Sequence, residues 1–434
     1  MRSKIILLAI ILALFAAEVR AETEIDLSGI WQYRLLDSEK DYPPAGDAEW
    51  ERVKLPNRDL FEIIAEKKNI TKGFILYRKT IRLEALSGDS LVFQAGEIMN
   101  TDMVFVNGKR IGNTGIFPPD FKSGWSKFRH YPLPGDLLAQ GDNTIDIVSY
   151  FNAELWVLSP LRIIDEARGI RANMVRNFIQ IELIHAVCLL LLCLSLFFLL
   201  IYVKRRKEKV YLFYAGTTFF LADMMILQFV ENVYTFLPLS SELIYKICAL
   251  GPMFFPPFLA FFFRSYLDLQ VSWKRIALYL SIPAALALLM LFSQDRYYII
   301  LWRNIFLLMI PLYILEIVTV SLRQIMRGNR KGLLLFMSLL PIFFFGIYDI
   351  LVFSLHALEG GVPLYPLGIP FMMILIGVQL VNRFIHTLNA SEQLNLLLEE
   401  KMEEGKRLAS LENELSIARR IQLASVPRTL PDVR

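Results

Sequence analysis

Seven apolar runs fill the chain from residue 178 to residue 385, and they constrain its fold more than any other feature. They lie near 178–203, 210–230, 243–263, 276–293, 298–320, 333–355 and 364–385. Each is close to the roughly 20 residues that cross a hydrocarbon core as an α-helix. The stretch from Ala186 to Val203 carries no charge at all. Composition agrees, because 55% hydrophobic residues with 32 Phe is too apolar for a water-soluble globule. A seven-helix transmembrane bundle over 172–386, in contact with membrane lipid, is therefore expected.

Basic residues set its direction. Lys204, Arg205, Arg206 and Lys207 follow the first run, Arg264, Lys274 and Arg275 flank the loop after the third, and Arg323, Arg327, Arg330 and Lys331 follow the fifth. The loops on the other side (231–242, 293–296 and 356–363) carry few positive charges, so the chain should enter from outside and leave its C-terminus in the cytoplasm. The N-terminus reads the same way. Arg2 and Lys4 precede the apolar run Ile5 to Ala17, and Val19-Arg20-Ala21 offers a small-x-small cleavage pattern before Glu22. Residues 1–21 are read as a signal peptide, with an uncleaved anchor as the alternative, and in both readings the following segment is exported across the inner (cytoplasmic) membrane. The net charge of +4 sits in short clusters beside apolar runs, which does not indicate nucleic acid as a partner. All three cysteines, Cys188, Cys193 and Cys248, lie within the apolar runs, so the exported segment holds no disulfide.

Residues 22–165 show short β-type runs between turn residues, at Gly73–Leu83, Ser90–Gln94, Met103–Val106 and Thr144–Tyr150. Asn107-Gly108 marks a hairpin, since both residues accept positive φ. Five stretches carry a family resemblance: Asp26-Leu27-Ser28-Gly29-Ile30-Trp31-Gln32, Trp50 to Pro56, Tyr77-Arg78-Lys79-Thr80, Val104 to Gly108, and Gly141 to Ile145. In this order they resemble the jelly-roll sugar-binding domain of glycoside hydrolase family 2, within the galactose-binding-like superfamily. The resemblance implies an all-β jelly-roll sandwich and a carbohydrate or other small polar ligand. It implies no glycosidase activity, because in that family catalysis belongs to a separate barrel. Trp125, Arg129, Tyr131 and Trp156 are the candidate ligand-binding residues, with ordered packing of a loop on the sandwich rim as the alternative.

Polar residues within spans are costly and so stand out. Glu182, His185, Asp223, Lys246, Arg303 and Asp349 all fall toward the outer half, where they form either one charge-paired cavity or separate structural pairs. Pro252, Pro256, Pro257, Pro283, Pro311, Pro341 and Pro370 permit kinks that a receptor and a transporter would use equally. Seven spans behind an exported carbohydrate-binding-like domain resemble the bacterial seven-transmembrane receptors with diverse intracellular signalling modules.

After the last span, residues 387–425 turn polar and helical. Leu394, Leu397, Leu408, Leu411, Leu415 and Ala418 form a heptad seam, interrupted by Lys401 and Glu404 near Gly405. A parallel homodimeric coiled coil is the natural use, and a solvated single helix is the alternative. Leu411 to Gln422, followed by Val426-Pro427 and Leu430-Pro431, resembles the linker helix ahead of the catalytic domain in PPM-type serine/threonine phosphatases of the SpoIIE and RsbU type. That resemblance implies that 426–434 begin an output domain with metal-binding aspartates. The 434 residues contain no cluster with metal-ligand spacing on the cytoplasmic side, so no catalytic residue, metal or cofactor is expected within them. The expected whole is a multidomain membrane protein that carries a signal from an extracytoplasmic ligand to a cytoplasmic partner. A transporter or channel with an exported accessory domain is the alternative.

Overall fold

The computed structural model describes residues 24–43, 49–57, 59–83, 90–157, 159–226, 239–349 and 364–425. The proposed signal peptide at 1–21 and the Val426-Pro427 and Leu430-Pro431 pairs lie outside the described residues. The described residues divide after Met372 into two compact units.

The first strands follow from period-two alternation. In β2 (Gly29–Leu36), Trp31 and Tyr33 are buried while Ile30 and Gln32 face outward. The turn before it is made by Asp26, whose carboxylate accepts the Ser28 amide, and by Gly29 at φ 106°, a conformation that favours glycine. The Trp31 indole then donates to the Leu27 carbonyl at 2.8 Å, closing the motif on itself.

Ten antiparallel strands build two sheets. One has the order β1 (Glu24–Asp26), β10 (Arg162–Asp165), β5 (Leu91–Gly96), β8 (Arg129–Leu133). The other has the order β3 (Glu51–Leu55), β2, β4 (Lys72–Leu83), β9 (Gly141–Asn152), β6 (Thr101–Val106), β7 (Lys109–Thr114). Phe93, Tyr131 and Ile163 from the first meet Trp31, Tyr77, Val104 and Ile147 from the second in one apolar core, so the two sheets form a sandwich. The β6–β7 hairpin turns at Asn107 (φ 50°) and Gly108 (φ 81°), as its sequence requires. Helix α1 (Leu60–Lys68) contributes Leu60 and Ile64 to the same core.

At Asp165 the last strand becomes a helix, because its carboxylate caps α2 (Glu166–Asn177) by accepting the Arg168 amide. A π-helical turn over Phe178–Glu182 joins α2 to α3 (Leu183–Lys204). The remaining helices are α4 (Lys209–Ile226), α5 (Ser241–Cys248), α6 (Leu250–Tyr266), α7 (Trp273–Phe292), α8 (Arg296–Leu307), α9 (Ile310–Met326), α10 (Arg330–Ser338), α11 (Leu340–Asp349) and α12 (Tyr365–Ser425).

Among the described residues, six helical stretches are long and apolar enough to cross a membrane, against the seven expected. The second expected span is represented by α4, which carries Lys209, Thr217, Thr218 and Asp223 and reaches Ile226, where the described residues stop, so only part of that span enters the count. Most of its side chains are buried among its neighbours, and its buried polar residues find partners within the bundle. Thr217 and Thr218 donate to the Phe213 and Tyr214 carbonyls one turn back, and Ser195 of α3 donates to the Ala215 carbonyl. Gly251 brings α6 against α4: a Cβ there would lie 2.5 Å from the Met224 nitrogen. These features give a β-sandwich followed by apolar helices of a multi-pass membrane bundle and a long C-terminal helix.

In α12 the helix runs unbroken through Lys401, Glu404 and Gly405. From Leu388 to Ser425 every residue is exposed in the single chain, Leu394, Leu397, Leu408, Leu411, Leu415 and Ala418 included.

Candidate functional site

Three loops at one end of the sandwich are tied to one another before they touch the helices. Ile98 and Val157 pair as an isolated bridge, and the Met99 amide donates to the Trp156 carbonyl. Asn100, wholly buried at φ 67°, accepts from Ser123 through its side chain and from the Gly124 amide through its carbonyl. Ala153, also at positive φ (63°), turns the chain out of β9 just before Glu154. The loops are thus one rigid platform, and two carboxylates project from it.

Glu154 reaches the helices. Its Oε2 lies 3.9 Å from Arg296 Nη2 and its Oε1 lies 3.5 Å from Arg303 Nη2, two guanidiniums two turns apart on α8. Arg296 stacks on the Tyr245 ring of α5 at 4.3 Å, and Arg303 donates to the Tyr245 hydroxyl. Arg296 is almost fully buried, and its Nε has no partner. Beside this cluster, Trp125 and Trp156 meet edge to face with centroids 6.0 Å apart, and Trp125 packs on Ile244 and Cys248 of α5.

Glu97 reaches a different part of the bundle. It accepts from Gln180 in the π-helical turn at 2.8 Å and lies 3.5 Å from Arg176 on α2. Arg176 covers the Phe128 ring at 4.5 Å, while Asn177 accepts the Phe128 amide. His130 is held below its ordinary pKa, mainly by burial and then by Lys127, with its hydrogen bond to Asn173 of α2 opposing them. Through Glu97, Glu154 and Trp125, one platform meets the helix that leads into the bundle and, further along the chain, α8 and α5.

The four residues read as ligand-binding part company here. Trp125 and Trp156 lie at the junction, turned toward each other. Arg129 and Tyr131 are inside the sandwich, which corrects the expectation for both. The Arg129 side chain is fully buried, pairs with Asp102 through Nε and donates to the Lys127 carbonyl at 2.9 Å. The Tyr131 hydroxyl is shared between Asp102 and Thr114. Burial pushes the Asp102 carboxyl above its ordinary range, against the pull of Arg129 and Tyr131. A cluster so fully engaged with itself has no donor left for a ligand.

The intramembrane residues do not gather into one cavity. Glu182 and His185 pair with each other at 3.6 Å on one helix, and Asp223 is buried on α4 with a backbone hydrogen bond from Gly251. Lys246 donates to the Leu291 carbonyl, and Asp349 accepts the Leu364 amide at 2.8 Å. Arg303 alone joins the junction. Hydrocarbon favours such local satisfaction, since each polar group finds the nearest partner. Glu97, Glu154, Arg176, Gln180 and Arg296 were not legible as a site, because each is an ordinary polar residue in a loop or at a helix end until the fold brings them together. Among the described residues, no group of three or more His, Cys, Asp or Glu side chains is placed to hold a metal.

Residues 182–383 match the family model described as 7TM diverse intracellular signalling. The match supports a transmembrane sensory receptor for signalling. No curated protein matches the chain. Among solved structures, a β-glucuronidase from an uncultured Clostridium sp. is similar at 14% identity and TM-score 0.27, over 35% of this chain and 30% of that one. A Faecalibacterium prausnitzii β-glucuronidase is similar at 13% identity and TM-score 0.28, over 34% and 32%. A β-D-mannosidase from Dictyoglomus thermophilum is similar at 20% identity and TM-score 0.22, over 30% and 16%. The chain spans no more than about a third of the length of these proteins, and likeness at this level has no bearing on activity or ligand.

Proposed function

We infer that the sandwich is the sensing domain of this receptor, exported across the inner membrane, and that it recognises a carbohydrate or another small polar ligand. The change passes through Glu154 and Glu97 into the bundle and on to the cytoplasmic helix, which pairs with a second copy along its leucine seam. The output reached through that helix is a PPM-type serine/threonine phosphatase, and the 434 residues themselves perform no catalysis. The supporting observation is Glu154 held between Arg296 and Arg303 at 3.9 and 3.5 Å. Contacts this long leave room to tighten or open, unlike a closed pair.

Disulfide cross-linking in membranes, with cysteines at Leu408 and Leu415, tests the relay. A panel of mono- and oligosaccharides should change the cross-link yield in the otherwise unaltered protein and leave it unchanged in Glu154→Gln. A yield indifferent to every ligand and to that substitution overturns the reading, and solute flux in proteoliposomes would establish a transporter instead.

A further inference from the structure

A second polar feature of the bundle plays no part in the relay. Between α6 and α9 lies a cavity of about 350 Å³ with two unlike walls. One wall is polar, with Arg264, Glu316, Thr319 and Arg323; the other is apolar, with Leu312, Leu315 and Val320. Arg264 stands in the last turn of α6 and Arg323 in the last turn of α9, so both mark the same boundary of the bundle. Leu312 and Leu315, more than half exposed, run from there toward the apolar interior.

The polar wall carries one charge too many. Glu316 is used twice, accepting from Arg264 Nη1 at 3.0 Å and from the Tyr279 hydroxyl. Arg264 Nε is buried without a partner, and Arg323, on the same face of α9 as Glu316 and two turns further on, forms no ion pair among the described residues. Two guanidiniums against one carboxylate leave a single net positive charge with an unused N–H of Arg264 and the fork of Arg323. An apolar trough ending in such a pair matches an amphiphile with one negative charge on a phosphodiester.

We propose that this cavity binds a monoanionic glycerophospholipid, its phosphate against Arg323 and Arg264 and an acyl chain along Leu312, Leu315 and Val320. The site requires only that the bundle sits in a membrane, so it stands whether or not the sandwich senses a carbohydrate. A free phosphate would use the arginines alone, whereas a lipid uses both walls.

Native mass spectrometry of the full chain, released from nanodiscs containing equal phosphatidylglycerol and phosphatidylcholine, reads the retained lipid directly. The protein should retain phosphatidylglycerol selectively. Arg323→Gln should lower that retention about tenfold, the loss expected for one charge-assisted hydrogen bond. Because Arg323 forms no ion pair among the described residues, this change leaves the Arg264–Glu316 pair in place. Leu315→Trp, which fills the trough, should lower retention as well, and Arg327→Gln, outside the cavity, should leave it unchanged. Equal retention of the two lipids overturns the proposal. So does a loss in Arg327→Gln as large as in Arg323→Gln, which would mean general attraction to a basic surface. Displacement by inorganic phosphate without any effect of Leu315→Trp would identify a free-anion site and also overturn it.

Discussion

Two clusters of the same chemistry, each a carboxylate with arginine and tyrosine, serve opposite ends in this molecule. In the sandwich, Asp102, Arg129 and Tyr131 are buried and in direct contact, and every strong donor is taken. At the junction, Glu154 stands 3.5 to 3.9 Å from its two arginines, partly exposed, with Arg296 Nε unpartnered. The first arrangement is closed because removing either charged member strands the other as a buried charge. The second is open to adjustment because its charges stand further apart, on a loop and on α8, and Glu154 and Arg303 still reach water. The same functional groups thus give a fixed brace in one place and an adjustable contact in the other, according to burial and distance.

The comparison would break first at the brace. Arg129→Met should destabilise the sandwich by about 3–5 kcal/mol, since it leaves Asp102 buried without its partner, and adding Asp102→Leu should return much of that loss. Thermal unfolding followed by tryptophan fluorescence reads both, and an Arg129→Met protein as stable as the parent would show that the pair is not a brace. Trp125→Ala should cost about 2 kcal/mol, below the full-core value because the ring is only partly buried and packs on both Trp156 and α5. Hydrogen exchange should then rise around 239–248 while the sheets stay protected.

Glu154→Gln should cost only about 1 kcal/mol, because the pairs are long and partly hydrated. Its effect should appear as faster exchange at the start of α8, and a loss as large as that of Arg129→Met would abolish the distinction between the clusters. The smallest effect belongs to an exposed pair. Glu51 is held below its ordinary pKa by the hydrogen bond from Lys68 and then that from Tyr33, with burial opposing them. A lowered carboxylate contributes stability that is present above its unfolded pKa and lost as pH falls through the folded one. Lys68→Ala should therefore flatten the acid limb of a stability-versus-pH curve by less than about 1 kcal/mol, given the exposure of both groups.

Legibility in the sequence followed the range of the interactions. The hairpin at Asn107-Gly108, the buried Trp31 after its Asp26–Gly29 turn, and the apolar helices rest on neighbours within a few residues, so a local pattern carries them. The split of the four candidate ligand residues does not. Arg129 and Tyr131 alternate with His130 as any strand would, and nothing nearby says that Asp102, 27 and 29 residues away, waits in the core. α4 reads as one more span, but nothing local says that most of its side chains are buried among its neighbours or that Thr217 and Thr218 are satisfied by carbonyls one turn back.

What the sequence determined by itself is the order of parts: a β-rich segment, a series of apolar helices, and a polar helix bearing a leucine seam. Periodicity and hydropathy encode these, because each depends on what one residue prefers beside its near neighbours. Only the tertiary structure decided which charges meet. Glu154 lies 142 residues from Arg296 and 149 from Arg303, and a charge carries no mark of its partner until folding removes the water between them. The brace and the adjustable junction are therefore one kind of residue in the sequence and two different devices in the fold.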